Sequence, residues 1–255
     1  MEGDLIEMRF GKFSVRENLE RAVKAGRLTP LDGNYILPEP GMQHSYLHVK
    51  TVRKMDCRFL NGFLFEHAYD KKTVPFGCSN CYKVKIVPED FRGLIALREL
   101  LENAPYHSKC GADFYNPHSR DFYAGFLYLD GLEVAHAACL DMRARCNDYP
   151  GLGRAVITIK RGCSNMEAVC GSSDRWLFRD GMQELESYLK ARVQIKPSVA
   201  EPYPVLKIKS LASWIQLAYN IRDDSYLGFT GGKPLHPPTV SYPADEPMVK
   251  VVSQV

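Results

Sequence analysis

The chain has 255 residues, 45% of them hydrophobic and 25% charged, with a formal net charge of +3. That is enough for one large domain or two small ones with a real core, and it excludes a disordered or fibrous chain. No run of about 18 uninterrupted apolar residues argues for a membrane span, and the acidic start MEGDLIEMRF has no apolar signal region, so a cytoplasmic protein is expected.

Eight cysteines in a chain without a signal peptide read as reduced thiols or metal ligands rather than disulfides. From the start, Val15 to Lys24 is a basic helical patch, and the turn-rich GRLTPLDGNYILPEPG follows, where Pro38 and Pro40 bar a continuous helix. His44 and His48 sit four apart, a metal-binding spacing on a helix, but alternation in SYLHVKTV favours a strand. Phe59 to Tyr69 reads as a helix with Leu60, Phe63, Leu64 and His67 on one stripe, which makes His67 a half-buried packing residue and Glu66 part of a solvated face.

The central pattern begins with GCSNCYKVKIVPEDFRGLIALRELLE, Gly77 to Glu102. A Cys-x-x-Cys pair runs into an alternating strand at Tyr82 to Val87, with Val84 and Ile86 on one face and Lys83 and Lys85 on the other. Pro88, Glu89 and Asp90 open a helix whose buried stripe is Phe91, Leu94, Leu97 and Leu101. His107 to Tyr115 is a second strand weakened by Gly111, Asn116 to Ser119 is turn chemistry, and Phe122 to Leu129 is a third strand. Leu132, Ala135, Cys139, Met142 and Cys146 share one helix face, and Arg154 to Lys160 is a fourth strand. Ser172 or Ser173 is expected to cap a further helix through about Val193, with Asp174 in its first turn.

This β-α-β-β-α-β order predicts an α+β fold: a ferredoxin-like split-βαβ core with an antiparallel sheet in the order 4-1-3-2, plus an extra helix and N- and C-terminal elaborations. Residues 1–76 are expected to be an N-terminal elaboration packed on the core, 77–195 the core with its cysteine site, and 196–255 a C-terminal segment, Pro-rich from about 231.

The tetrapeptide GCSN recurs at Gly162 to Asn165. Strands one and four are neighbours and antiparallel in the expected sheet, so Cys78 and Cys81 before the first should meet Cys163 and Cys170 after the fourth. Four thiolates from two loops suit tetrahedral zinc or, alternatively, a [4Fe-4S] cluster, with Cys57 as the reserve ligand. The bland account of GCSN is turn chemistry used twice. Cys110 falls at the opposite end of the sheet, and Cys139 and Cys146 read as small core residues.

Away from the helices, Lys83, Lys85, Thr158 and Lys160 should share a face with Phe126 and Tyr128, where rings stack on bases and ammonium groups meet phosphates. Arg161, Glu167, Asp174 and Arg175 flank the proposed metal end and are candidates for group-transfer catalysis on a phosphorylated substrate, whereas Lys109 is placed at the far end. No nucleotide P-loop, dinucleotide fingerprint or serine-hydrolase elbow is present. The segments GCSNCYKVK, PYHSKCGADF, YAGFLYLDGLEVA and IKRGCSNMEAVCGSSDRW resemble phage-encoded DNA-modification proteins, compared first with the amino acid:DNA transferases of thymine hypermodification. The resemblance spans about residues 57–180, implies displacement of pyrophosphate from an activated base by an amino acid's nitrogen, and assigns no residue roles. Function therefore has three readings: a metal-thiolate transferase acting on DNA, a non-enzymatic nucleic-acid-binding or interaction module with a structural zinc, and an iron–sulfur redox protein.

Overall fold

The computed structural model describes residues 5–39, 45–52, 56–114, 121–196 and 201–236. His44, the turn at 116–119 and the tail beyond 236 lie outside them. The strands are β1 (Arg9–Phe10), β2 (Phe13–Ser14), β3 (Thr29–Leu31), β4 (Asn34–Leu37), β5 (Tyr46–Lys50), β6 (Cys81–Val87), β7 (Ser108–Ala112), β8 (Tyr123–Asp130), β9 (Val156–Arg161) and β10 (Val193–Ile195). The α-helices are α1 (Val15–Lys24), α2 (Phe91–Asn103), α3 (Leu132–Asp148), α4 (Ser164–Cys170), α5 (Met182–Lys190) and α6 (Tyr203–Asn220), and a π-helix runs from Arg58 to Ala68.

The fold is α+β. Its main sheet has five strands in the order β5-β7-β8-β6-β9, every neighbour antiparallel. The four strands expected from the sequence thus stand in the order fourth, first, third, second, and β5 adds an edge beside β7. Alternation decides the layers. Val84, Ile86, Leu127, Leu129, Cys110 and Ile157 point to one face, where they are buried against Phe91, Leu94, Leu97 and Leu101 of α2 and Ala135, Met142 and Cys146 of α3. Each Val, Leu, Ile, Phe or Met among them contributes about 1.5–3 kcal/mol by leaving water. Helix α2 starts where Asp90 accepts from the Gly93 N–H, and Asp223 accepts from the Phe91 N–H.

A second apolar cluster joins α1, the π-helix and α5 through Leu19, Phe63, Leu64, Met182 and Leu185. Helix α5 and β10, expected with the sheet core, pack here instead, and β10 pairs in parallel with β4. The long helix expected from Ser172 or Ser173 is not formed. Ser173 to Arg175 is one 3₁₀ turn, and α5 begins only at Met182, after Gly181 in a left-handed conformation at φ 82°. The residues Leu177 to Asp180 between them lack the apolar spacing to continue a turn.

Gly111, which looked like a weakness in β7, is required there. A Cβ at this position would lie 1.9 Å from the Ser45 carbonyl oxygen. That oxygen accepts from the Ala112 N–H at 2.9 Å and from the Trp214 indole N–H at 2.9 Å, tying α6 and the chain entering β5 to the sheet edge. Gly111→Ala should therefore destabilise the protein by about 3 kcal/mol, the upper end of the cost of overpacking, because backbone must give way, with fluorescence of Trp214 shifting to the red. Urea unfolding monitored by tryptophan emission measures both.

Candidate functional site

Because β6 and β9 are neighbours, the loop before one lies beside the loop after the other. Tyr82 pairs with Arg161, and the Gly162 N–H donates to the Cys81 carbonyl at 2.8 Å. Three groups then fix these loops. The Arg161 guanidinium donates through Nε and Nη2 to the Ser79 carbonyl and through Nη1 to the Ser173 carbonyl, tying both loops to one side chain. Gly162, at φ 62°, lies against the Trp176 ring, 2.4 Å from where a Cβ would stand, so glycine is needed there for both reasons. Glu186, 7% exposed on α5, accepts from the Phe76 N–H at 2.6 Å, the Gly77 N–H at 2.9 Å and the Tyr69 hydroxyl at 3.0 Å. Burial pushes the Glu186 carboxyl upward, while its three donors pull it back.

Around this frame stand Cys57, at the start of the π-helix, Cys78, Cys81 and Cys163. Burial raises the thiols of Cys57 and Cys78, and nearby thiols raise them further: Cys163 and Cys81 act on both, and Cys57 acts on Cys78. Cys163 behaves oppositely. Burial would raise it, but the Lys83 ammonium, donating to its Sγ at 3.0 Å, brings it below the ordinary thiol value. Cys170 leaves the group. The stretch expected to be a loop is α4, and Cys170 at its last position lies seven residues, about 10 Å of helix, beyond Cys163. Its thiol meets the Lys71 carbonyl at 3.8 Å. Cys57, the reserve, stands in the place expected of Cys170. Among the described residues, no three Cys, His, Asp or Glu side chains are arranged as a metal-holding group.

The sheet face away from α2 and α3 carries Lys83, Lys85, Lys109, Lys160, Phe126 and Tyr128 on adjoining strands: Lys83 lies opposite both Tyr128 and Lys160, and Phe126 lies opposite both Lys85 and Lys109. Lys83 is 7% exposed. Burial opposes its charge, but Cys163 and Tyr128 more than offset this and raise its pKa. Its ammonium lies 5.1 Å from the Tyr128 ring centroid. Lys85 pairs with Asp121 at 2.5 Å, and Lys160 donates to Ser164 at 2.6 Å and pairs with Glu167 at 3.4 Å.

Lys109 belongs to this group, not to the far end. Its ammonium lies 4.6, 5.6 and 5.8 Å from the ring centroids of Tyr46, Phe126 and Tyr128. Burial and the neighbouring Lys83 bring its pKa down to about 8. The His107 and Tyr128 rings meet edge to face at 5.4 Å, and His107 also approaches His48 at 6.0 Å. A shallow cleft of about 270 Å³, lined in part by Val52, His107, Tyr128 and Asp130, borders these rings.

The residues picked for catalysis do not converge. Arg161 spends its donors on carbonyls, Glu167 pairs with Lys160, and Asp174 and Arg175 are exposed on the 3₁₀ turn. Sequence reasoning missed Glu186 and misplaced Lys109. Glu186 carried a signal: with Met182, Leu185 and Leu189 it falls on the buried stripe of α5, where a carboxylate requires donors. Lys109 carried a signal too: the expected order sets the second strand beside the third and parallel to the first, which places Lys109 near Lys83 and Lys85 and not at the far end.

No family model, curated protein or solved structure matches this chain.

Two measurements check the electrostatics. Lys83→Met should raise the Cys163 thiol pKa and slow its alkylation at pH 7 by about tenfold, since one pKa unit is about 1.4 kcal/mol, read by mass spectrometry on reduced, chelator-treated protein. Glu186→Ala should destabilise the protein by about 3 kcal/mol, because it orphans three donors, and should speed amide exchange at Phe76 and Gly77 in hydrogen-exchange measurements.

Proposed function

We propose that the chain is a metal-thiolate protein that acts on nucleic acid by group transfer, on a ferredoxin-like split-βαβ core. The observation that supports this best is the proximity of two features. A group of four thiols lies at one end of a sheet face, and that face carries lysines interleaved with Tyr46, Phe126 and Tyr128. Rings of this kind offer stacking surfaces to bases and the ammonium groups attract phosphates. Cys57, Cys78, Cys81 and Cys163 would hold zinc. The ion would keep the strand β6 and β9 loops together, and Lys83 would go on donating to the Cys163 sulfur as an outer partner. A four-thiolate site leaves no open position, so the metal's part is structural, and any chemistry falls to the lysines and rings of the adjoining face. DNA modification of the amino acid:DNA transferase kind, in a cytoplasmic setting, is the group transfer that the sequence resemblance suggests. No helix among the described residues is long and apolar enough to cross a membrane.

The test is elemental analysis of anaerobically purified protein. One zinc per chain is expected, lost in Cys78→Ser and Cys163→Ser and retained in Cys170→Ser. Brown colour with visible absorbance would assign a [4Fe-4S] cluster instead, and unchanged metal in both of the first two variants would remove the site. Binding of a single-stranded oligonucleotide at low salt, weakened by Phe126→Ala, checks the nucleic-acid part. Each stacked base lost should cost about 1–3 kcal/mol.

A further inference from the structure

A desolvated ammonium needs a counter-charge or hydrogen-bond acceptors, because taking a charge out of water unpaired is costly. The other cations of the sheet face meet that need within the protein: Lys83 with Cys163, Lys85 with Asp121, Lys160 with Ser164 and Glu167. Lys109 does not. Among the described residues no hydrogen bond or ion pair engages its Nζ, and its immediate contacts are the faces of three rings. Cation–π attraction offsets only about 0.5–2 kcal/mol of the desolvation. The groups that act on it are Lys83 on β6, Cys163 after β9, Cys57 before the π-helix and Asp113 after β7. Cys163 is already matched to Lys83, and Asp113 acts on Lys109 through space, with no ion pair between them. Among the described residues, the Lys109 ammonium thus has no hydrogen-bond acceptor, and it stands at the centre of an aromatic surface.

We infer that Lys109 is the anchor for the oxyanion of a ring-bearing ligand, a phosphate ester or a carboxylate, held against Tyr46, Phe126 and Tyr128. The anion supplies the acceptors that Nζ lacks, and the ligand's ring covers apolar surface that Tyr46 and Phe126 leave half-buried. This deepens the nucleic-acid reading, since a nucleotide carries both parts, and it moves the phosphate contact from Lys83, Lys85 and Lys160, which are all engaged internally, to Lys109.

The experiment is calorimetric titration of the full chain with phenyl phosphate, benzoate and inorganic phosphate. Phenyl phosphate or benzoate should bind at least about tenfold more tightly than inorganic phosphate, and whichever of the two is preferred identifies the oxyanion. Lys109→Met should weaken that binding by about tenfold or more, Lys109→Arg should retain it within about threefold, and Lys24→Met on α1 should leave it unchanged. The arginine variant separates a lost anchor from a damaged fold. The inference is overturned if the wild-type protein binds none of the probes, if Lys109→Met binds as well as wild type, or if inorganic phosphate binds as tightly as its phenyl ester. Binding through Lys109 by a protein that ignores oligonucleotides would sustain the anchor and retire the nucleic-acid reading alone.

Discussion

A lysine ammonium inside a protein is costly unless another group shares its charge, and Lys83 is a case where one does. It projects from the central strand of the site, almost wholly enclosed, and its partner is the Cys163 sulfur at 3.0 Å. Neither group suits its surroundings alone: an isolated ammonium would be driven to lose its proton there, and an isolated thiol to keep its own. Together they are mutually stabilised. The pair exists because β6 and β9 lie side by side, with Lys83 opposite Lys160 and the β9 chain turning at Gly162 to deliver the next residue. Strand order therefore comes first and the site's electrostatics follow from it.

Several charged groups nearby serve geometry instead of chemistry. Arg161 holds two loop carbonyls, and Glu186 holds two loop N–H groups and a tyrosine hydroxyl. Both satisfy backbone that would otherwise be buried without partners.

What the sequence made legible follows from the range of each signal. The strands and α2 were readable because alternation and the Phe91, Leu94, Leu97, Leu101 stripe are local patterns, and the antiparallel order then placed Cys78, Cys81 and Cys163 at one end. The helix that carries Cys170 was not read because SNMEAVC is short and has no apolar stripe of its own. Lys109 was misplaced because the second strand was taken to start at the far end, whereas the expected order makes it parallel to the first and sets Lys109 opposite Phe126 of β8. The packing of α5 on α1 and the π-helix could not be read at all, since both partners are amphipathic helices and either could have covered the sheet.

The link between Glu186 and the Phe76–Gly77 turn spans about 110 residues of chain. On a ribosome, that interval corresponds to roughly 5–20 s of translation. For that time the nascent polypeptide presents Cys57, Cys78 and Cys81 on a bend that has not yet met its clamp, nor Cys163 its lysine-bearing neighbour in a finished sheet. The bend can be clamped only once Glu186, at position 186 of 255, has been made and has emerged.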